Sequence, residues 1–317
     1  MAEGQLSSVI PLCPCYNGDS MPRVPRRLAS AFCLASALLW LIPASAQEKA
    51  LFKSGVQTIV LHATVRSEDG RMAPDLTAED FEIRDEGQPV QISVFSSDPQ
   101  PITVVLLLDM SGSMIGHFLR VREATRFFVD AIQPGDRVRI GTFGDEVAIS
   151  PVLTGNKTVL HQVIASELWP GGGTPLWNAI CAGMRSLAKE PGRRVILTLT
   201  DGADTGGLPG LKGDRGDARK AVEDDGFMVY AIGMEGARLE EDMIELAEQG
   251  GGGHFMLERG ADLQATFARV LDELRHQYEI GYLLPKADGK LHDVEVRVKK
   301  PGMIVRAKKN YRAPKAG

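Results

Sequence analysis

Hydrophobic positions along this chain change rhythm twice. Between residues 55 and 98, Ile59, Leu61, Ala63 and Val65 alternate with polar or small residues, the two-residue period of a half-buried strand. Glu68-Asp69-Gly70 supplies a turn, and Leu76-Thr77-Ala78-Glu79-Asp80-Phe81 reads as a single helical turn capped by Thr77. Alternation returns over Val90–Phe95, and Pro99 and Pro101 mark a boundary. From Ile102 to Leu108 six of seven residues are apolar, and Asp109 ends the run. A run of this kind predicts a strand covered on both faces, as in a parallel sheet. A helical face follows at Phe118, Val121, Thr125, Phe128 and Ile132. Further strands are expected at Val138–Phe143, Val147–Val152, Val195–Thr200, Phe227–Ile232 and His254–Leu257. Helices are expected near 156–167, 175–189, 215–225, 238–248 and 261–276. Beyond 277 the two-residue period resumes with Tyr278, Ile280 and Tyr282, then Val294, Val296 and Val298, then Ile304–Ala307.

Strands alternating with helices over 102–276 predict an α/β domain with a doubly wound, mostly parallel sheet. The short strands of 55–98 and of 277–313 cannot form stable sheets alone. The economical solution is one β-sandwich built from both flanks, with the α/β domain inserted in it.

The N-terminus follows neither rhythm. Arg23, Arg26 and Arg27 precede a mostly apolar stretch, Leu28–Ile42, and Ala44-Ser45-Ala46 precedes Gln47. These are the three parts of a secretory signal peptide, with cleavage expected after Ala46. A membrane anchor is the competing reading; Pro43 and the small-residue site weigh against it. Met21 then becomes the natural start, and residues 1–20 an extension ahead of it. Cleavage removes Cys13, Cys15 and Cys33 and leaves Cys181 alone, so no disulfide can form within the mature chain. The expected product is secreted or periplasmic, without a membrane span, and a bacterial envelope suits it best. A net charge of −5 without any basic block speaks against a nucleic-acid partner.

In a doubly wound sheet, ligands bind outside the carboxyl ends of the strands, near the point where strand order reverses. Three polar loops fall at such ends. Asp109-Met110-Ser111-Gly112-Ser113 follows the first buried strand, Gly171-Gly172-Gly173-Thr174-Pro175 precedes a helix, and Thr200-Asp201-Gly202 follows the Val195 strand. Ser111 and Ser113 are two apart, so one turn can aim both hydroxyls at one point. Thr174 reads as a helix N-cap with Pro175 in the first turn. The glycine run would let its loop shift between two ligation states. Taken alone, D-x-S-x-S is ordinary turn chemistry; three loops in this order and at these places are not.

Together these residues resemble the metal-ion-dependent adhesion site (MIDAS) of von Willebrand factor A-type domains, and the likeness covers about 102–276. Over 55–313 the chain looks like an exported bacterial subfamily found among acidobacteria, with Leu76–Phe81 and the closing Lys309-Asn310-Tyr311 carrying the wider match. The resemblance implies that Ser111 and Ser113 ligate a divalent cation directly and that Thr174 does so directly or through water. Asp109 and Asp201 would hold the ion's waters. The ion would be Mg²⁺, or Mn²⁺ or Ca²⁺, with a position left for a carboxylate from a protein partner. Hard cations take about six oxygen ligands and Mg²⁺ keeps several waters, which suits this donor set.

The expected function is therefore metal-dependent protein binding, in adhesion or scaffolding, without enzymatic activity. A metal-assisted hydrolase using Asp109 or Asp201 is the second reading, and no general base stands among the motif residues. A structural domain with a vestigial site is the third. Other features have plainer accounts. Asp204 reads as a solvated loop residue, His117 as helix surface, Cys181 as a core thiol and Arg215-Gly216-Asp217 as a chance tripeptide at a helix start. Trp169 and Trp177 border the glycine run as core residues or as a rim for a ligand. No H-x-x-x-H, C-x-x-C or phosphate-loop pattern occurs.

Overall fold

Alternation in the first flank becomes strand β1 (Thr58–Ser67), whose Leu61, Ala63 and Val65 are buried. The computed structural model describes residues 57–168, 170–236 and 238–315, so the signal-peptide expectation for residues 1–46 and that for Trp169 lie outside the described residues. A single 3-10 turn at Ala78–Asp80 follows, where the Asp80 carboxylate accepts the Thr77 N–H at 2.8 Å. Phe81, expected in that turn, instead opens β2 (Phe81–Asp85), which turns through Glu86 and Gly87 into β3 (Gln88–Val90). Strand β4 (Ile92–Ser96) ends the first flank.

The α/β unit begins with β5 (Thr103–Asp109), buried at every residue. A 3-10 segment, Gly112–His117, leads into α1 (Phe118–Ala131). Then come β6 (Arg137–Phe143), β7 (Val147–Ile149), α2 (Lys157–Glu167), α3 (Leu176–Leu187), β8 (Arg194–Thr200) and α4 (Arg215–Asp225). Strand β9 (Met228–Gly233), α5 (Glu241–Gln249), β10 (Gly253–Met256) and α6 (Leu263–Arg275) complete it. The second flank adds β11 (Tyr278–Leu283), β12 (Leu291–Val298), β13 (Met303–Ala307) and β14 (Asn310–Arg312).

The central sheet has the order β10-β9-β8-β5-β6-β7, parallel except for the antiparallel edge strand β7. Its residues alternate between two cores. Val104, Leu106 and Leu108 of β5 join Val121, Phe128, Leu160 and Phe267 on one face. Val105 and Leu107 join Ile180, Val222 and Leu246 on the other. That double burial is why the sequence shows a continuous apolar run here and alternation elsewhere. The order places β5 at the reversal, with β6 on one side and β8 on the other.

Both flanks contribute to each of two antiparallel four-stranded sheets, β13-β1-β11-β4 and β14-β12-β2-β3. Leu61 pairs with Ile280 and Ile83 with Val296, so strands far apart in sequence share a register. The two sheets enclose a third core around Leu61, Val65, Phe81, Ile83, Tyr278, Ile280 and Val294. Short segments that could not stand alone thus bury one another.

This core also encloses a polar cluster. Asp85, buried, accepts hydrogen bonds from the Tyr282 hydroxyl at 2.8 Å and the Tyr311 hydroxyl at 2.5 Å, and pairs with His292 Nδ1 at 2.8 Å. The other His292 nitrogen lies 3.2 Å from Asp288. Burial works against a charged His292 ring, but the two carboxylates outweigh it and hold its pKa above the usual 6.5. A group with a raised folded pKa stabilises the fold fully below its unfolded value and loses that contribution as pH rises through the folded value. Denaturant midpoints measured from about pH 5 to 9 should therefore fall as His292 loses its proton. His292→Gln should flatten this part of the profile.

Candidate metal centre

The carboxyl ends of β5 and β8, adjacent strands at the sheet's reversal, bring the predicted residues together. Asp109 ends β5 and is fully buried. One carboxylate oxygen accepts the Ser111 N–H at 2.8 Å, and the other accepts the Thr200 hydroxyl at 2.6 Å. The Ser111 and Ser113 hydroxyls lie 3.1 Å apart. Ser113 in turn donates to Asp201 at 2.8 Å, which closes a chain from β5 to the loop after β8. Thr174 is buried beside Gly202, its N–H donated to the Thr205 hydroxyl at 2.7 Å, and its own hydroxyl takes no partner among the described residues.

Thr174 differs from expectation in one respect. It does not cap the following helix: α3 begins at Leu176, and Pro175 stands in the capping position without a side-chain bond. The reason is that the Thr174 carbonyl already takes the N–H groups of Leu176 and Thr205, at 2.9 and 3.0 Å. These bonds fix the residue ahead of the helix and leave its hydroxyl uncommitted.

The glycine run has a role that the sequence did not disclose. Gly171 donates to the Met110 carbonyl at 2.6 Å, Gly112 donates to the Gly172 carbonyl at 2.9 Å, and Asp145 donates to the Gly171 carbonyl at 3.0 Å. With the Thr205 N–H on the Thr174 carbonyl, these bonds stitch four loops together by backbone alone. A Cβ on Gly172 would collide with Asp145, and Gly172 has φ +82°, so glycine is required twice over. The 143–146 loop thereby joins the three loops expected, and it carries Asp145, an exposed carboxylate against Gly171 and Gly172. Thr205 and Asp145 were passed over in the sequence and Thr200, though part of a quoted loop, was given no role, because a hydroxyl or carboxylate gains meaning only from what it meets across the fold.

The donor set suits a hard cation. Among the described residues no group of three or more His, Cys, Asp or Glu side chains could hold a metal, so an ion here would rest on hydroxyls, water and a few carboxylate oxygens. Neither Asp109 nor Asp201 takes an ion pair with Lys, Arg or His among the described residues. Burial pushes the Asp109 carboxyl above the usual carboxylate range; hydrogen bonds from Ser111 and Thr200 pull it down, and the Asp201 charge adds to the push. A buried carboxylate without a counterion is costly, and a divalent cation beside it removes that cost.

The family model described as von Willebrand factor type A domain matches residues 103–269. The chain belongs to the von Willebrand factor type A family. No curated protein matches it. Among solved structures, the type A domain is similar to an aerotolerance-related membrane protein from Bacteroides fragilis. That match has 18% identity and TM-score 0.43, covering 55% of this chain and 98% of that one. A von Willebrand factor type A protein from Catenulispora acidiphila matches at 13% identity and TM-score 0.49, covering 83% and 74%. Proximal thread matrix protein 1 from the mussel byssus, with a zinc-occupied MIDAS motif, matches at 17% identity and TM-score 0.44, covering 61% and 50%. The centre described above rests on its own residues and not on these likenesses.

Other sequence candidates find structural roles. Asp204 is more than a solvated loop residue: its carboxylate accepts the Gly206 N–H at 3.0 Å, and its N–H reaches Glu240 at 2.8 Å. Trp177 lies in the type A core, 8% exposed. Asp217 accepts from Asp214 N–H in a capping box that starts α4, and Arg215 pairs with Asp242, which accounts for the Arg-Gly-Asp tripeptide. The Cys181 thiol is buried and pushed up to about 11 by that burial, as befits an inert core residue.

Proposed function

We propose that the type A domain binds one divalent cation, Mg²⁺ or else Mn²⁺ or Ca²⁺, and through it a carboxylate of a protein partner, as an adhesion or scaffold protein. Ser111, Ser113 and Thr174 would hold the ion, and Asp109 and Asp201 would hold its waters. The observation that carries this reading is the bonded chain Asp109–Ser111–Ser113–Asp201, closed across two strands beside a Thr174 hydroxyl that takes no partner among the described residues. When bound, the ion supplies an electrophilic position for an incoming oxygen. The residues do the rest: Asp109 fixes the Ser111 backbone, Thr200 fixes Asp109, and Ser113 is held by Asp201. Asp109 is enclosed and already bonded twice, which suits a positioning role and not that of a general base. The reading is accordingly of a binding protein without enzymatic activity. Precipitation of partners from an envelope extract by the purified protein should succeed in Mg²⁺ and fail in chelator; recovery indifferent to chelator refutes the reading.

We place the protein in the exported acidobacterial subfamily, with an N-terminal extension and signal peptide over 1–46, sandwich segments at 55–98 and 277–313, and the type A domain at 102–276 between them. Among the described residues no helix is long and apolar enough to cross a membrane. Mass spectrometry of the exported protein should find Gln47 as its first residue; residues 1–46 still attached would contradict export by cleavage.

A further inference from the structure

Thr174 stands between two stretches of opposite character. Ahead of it runs the glycine segment 171–173, the most permissive backbone a chain can have. Behind it Pro175 has a fixed φ, and α3 follows. A metal ligand at such a boundary is placed only as well as its own backbone is held. The hold comes from across the fold, from the loop after β8. The Thr174 N–H donates to the Thr205 hydroxyl at 2.7 Å, and the Thr205 N–H donates back to the Thr174 carbonyl at 3.0 Å. The two residues are thus tied in both directions. Asp204 adds a longer tie by accepting the Trp177 N–H at 3.4 Å, and its own N–H is anchored on Glu240 at 2.8 Å. A Cβ on Gly173 would stand 2.8 Å from the Thr205 hydroxyl, so any side chain there would press on this clasp.

The hard cations make different demands on such a ligand. Mg²⁺ requires near-ideal octahedral geometry at about 2.0–2.1 Å, whereas Ca²⁺ accepts about six to eight oxygens at about 2.3–2.6 Å in flexible arrangements. A hydroxyl whose backbone is tied on both sides meets the first demand. A loose one serves the second almost as well. We propose that Thr205 positions Thr174 for the cation, and that the centre's preference for Mg²⁺ over Ca²⁺ depends on this clasp. The proposal rests on the metal-binding part of the reading above and narrows its choice of ion. Thr205 is a positioning residue, since its hydroxyl is already committed to the Thr174 N–H. Thr174 itself is 4% exposed, and its hydroxyl, the group left without a partner among the described residues, is what the clasp aims. Thr205 is exposed and supports no core, so replacing it tests position and not packing.

The test is calorimetric titration with Mg²⁺ and with Ca²⁺ on the wild type, Thr205→Val and Thr205→Ser, with melting in chelator to follow the metal-free fold. Valine keeps the branched shape but puts a methyl where the Thr174 N–H needs an acceptor; serine keeps the hydroxyl. The wild type should bind Mg²⁺ more tightly than Ca²⁺. Thr205→Val should bind Mg²⁺ about tenfold more weakly or worse, the scale of losing a group that orients a ligand. Its Ca²⁺ affinity should change by less than about threefold, because that ion tolerates a displaced oxygen. Thr205→Ser should restore the wild-type ratio. Gly173→Ala presses on the same clasp independently, since its Cβ meets only Thr205 within 4 Å, and it should shift the ratio in the same direction. Equal losses for both ions, Mg²⁺ affinity untouched by valine, a loss that serine shares, or a wild type that favours Ca²⁺ would overturn the clasp and leave the metal-binding reading standing. A wild type that binds neither ion would overturn that reading and the clasp with it.

Discussion

Asp109→Asn should lower the affinity for Mg²⁺ by about ten- to a hundredfold, the range typical when a group orienting metal ligands is lost. It should do so without weakening the metal-free fold. Asp109 is fully buried and has no cationic partner among the described residues, so its charge is a liability until an ion arrives. The amide keeps the shape and removes the charge. Its oxygen can accept the Ser111 N–H now held at 2.8 Å, and its NH₂ can face Thr200. The Thr200 hydroxyl lies 3.2 Å from the Gly202 carbonyl and can turn its proton there. The Ser111 N–H and the Thr200 hydroxyl then both keep a partner. Asp109→Ala, by contrast, strands the Ser111 N–H and costs about 1–3 kcal/mol. Calorimetric titration with Mg²⁺, Mn²⁺ and Ca²⁺, and melting in chelator, separate the two variants. The wild type should also gain about 2.7 kcal/mol at a metal concentration a hundred times its Kd, and Asp109→Asn should forfeit much of that gain. Wild-type metal affinity in Asp109→Asn would remove Asp109 from the centre.

Much of this arrangement was legible in the sequence, for reasons that can be named. The run Ile102–Leu108 announced a doubly covered strand because burial on both faces erases alternation, and Asp109, Ser111 and Ser113 stand where that strand ends. Alternation in both flanks announced strands, and their shortness required that they share a sandwich. What escaped were features decided by distant partners. Strands β2, β3 and β14 are only three to five residues long, too brief for a period to show. Thr174 looked like a helix cap because Thr-Pro commonly is one; the bonds its carbonyl makes to Thr205 and Leu176 are invisible locally. Asp145 belongs to no motif and matters only because Gly171 and Gly172 fold against it. Glu273 gave no signal at all, although it is the most consequential buried acid outside the centre.

That residue carries the other large effect. Glu273 lies on α6, the last helix of the type A domain, and is fully buried. Arg66 of β1 and Arg306 of β13 reach it from the sandwich, and both pair with its carboxylate. Arg269, one turn earlier on α6, lies 3.9 Å away, and the Tyr230 hydroxyl of β9 lies 3.4 Å away. Three guanidinium groups thus converge on a single acid where the sandwich meets the type A domain. Their crowding is visible on Arg66, whose pKa is lowered to about 10, first by burial and then by the neighbouring Arg269 and Arg306 charges. Taking Glu273 away leaves those arginines facing one another with no anion between them. Removing one partner of a buried ion pair costs about 3–5 kcal/mol, because the remaining charge stays desolvated. At about 2–4 °C per kcal/mol for a domain of this size, Glu273→Ala should lower Tm by roughly 10 °C or more. Glu273→Gln keeps the shape but not the charge and should fall almost as far, which sets electrostatics apart from packing. Replacing Arg66 as well, in Arg66→Met/Glu273→Met, should recover part of the loss, since the more deeply buried of the two closely paired arginines goes with the acid and only Arg306 and Arg269 keep an unmatched charge there. Magnesium affinity should be unchanged throughout, because α6 contributes no residue to the centre. If Glu273→Gln melts within a degree or two of wild type, the arginines are held apart by solvent and not by this acid, and the junction must owe its stability to its other contacts, among them Arg312–Asp224, Lys309–Glu248 and Arg193–Gln277.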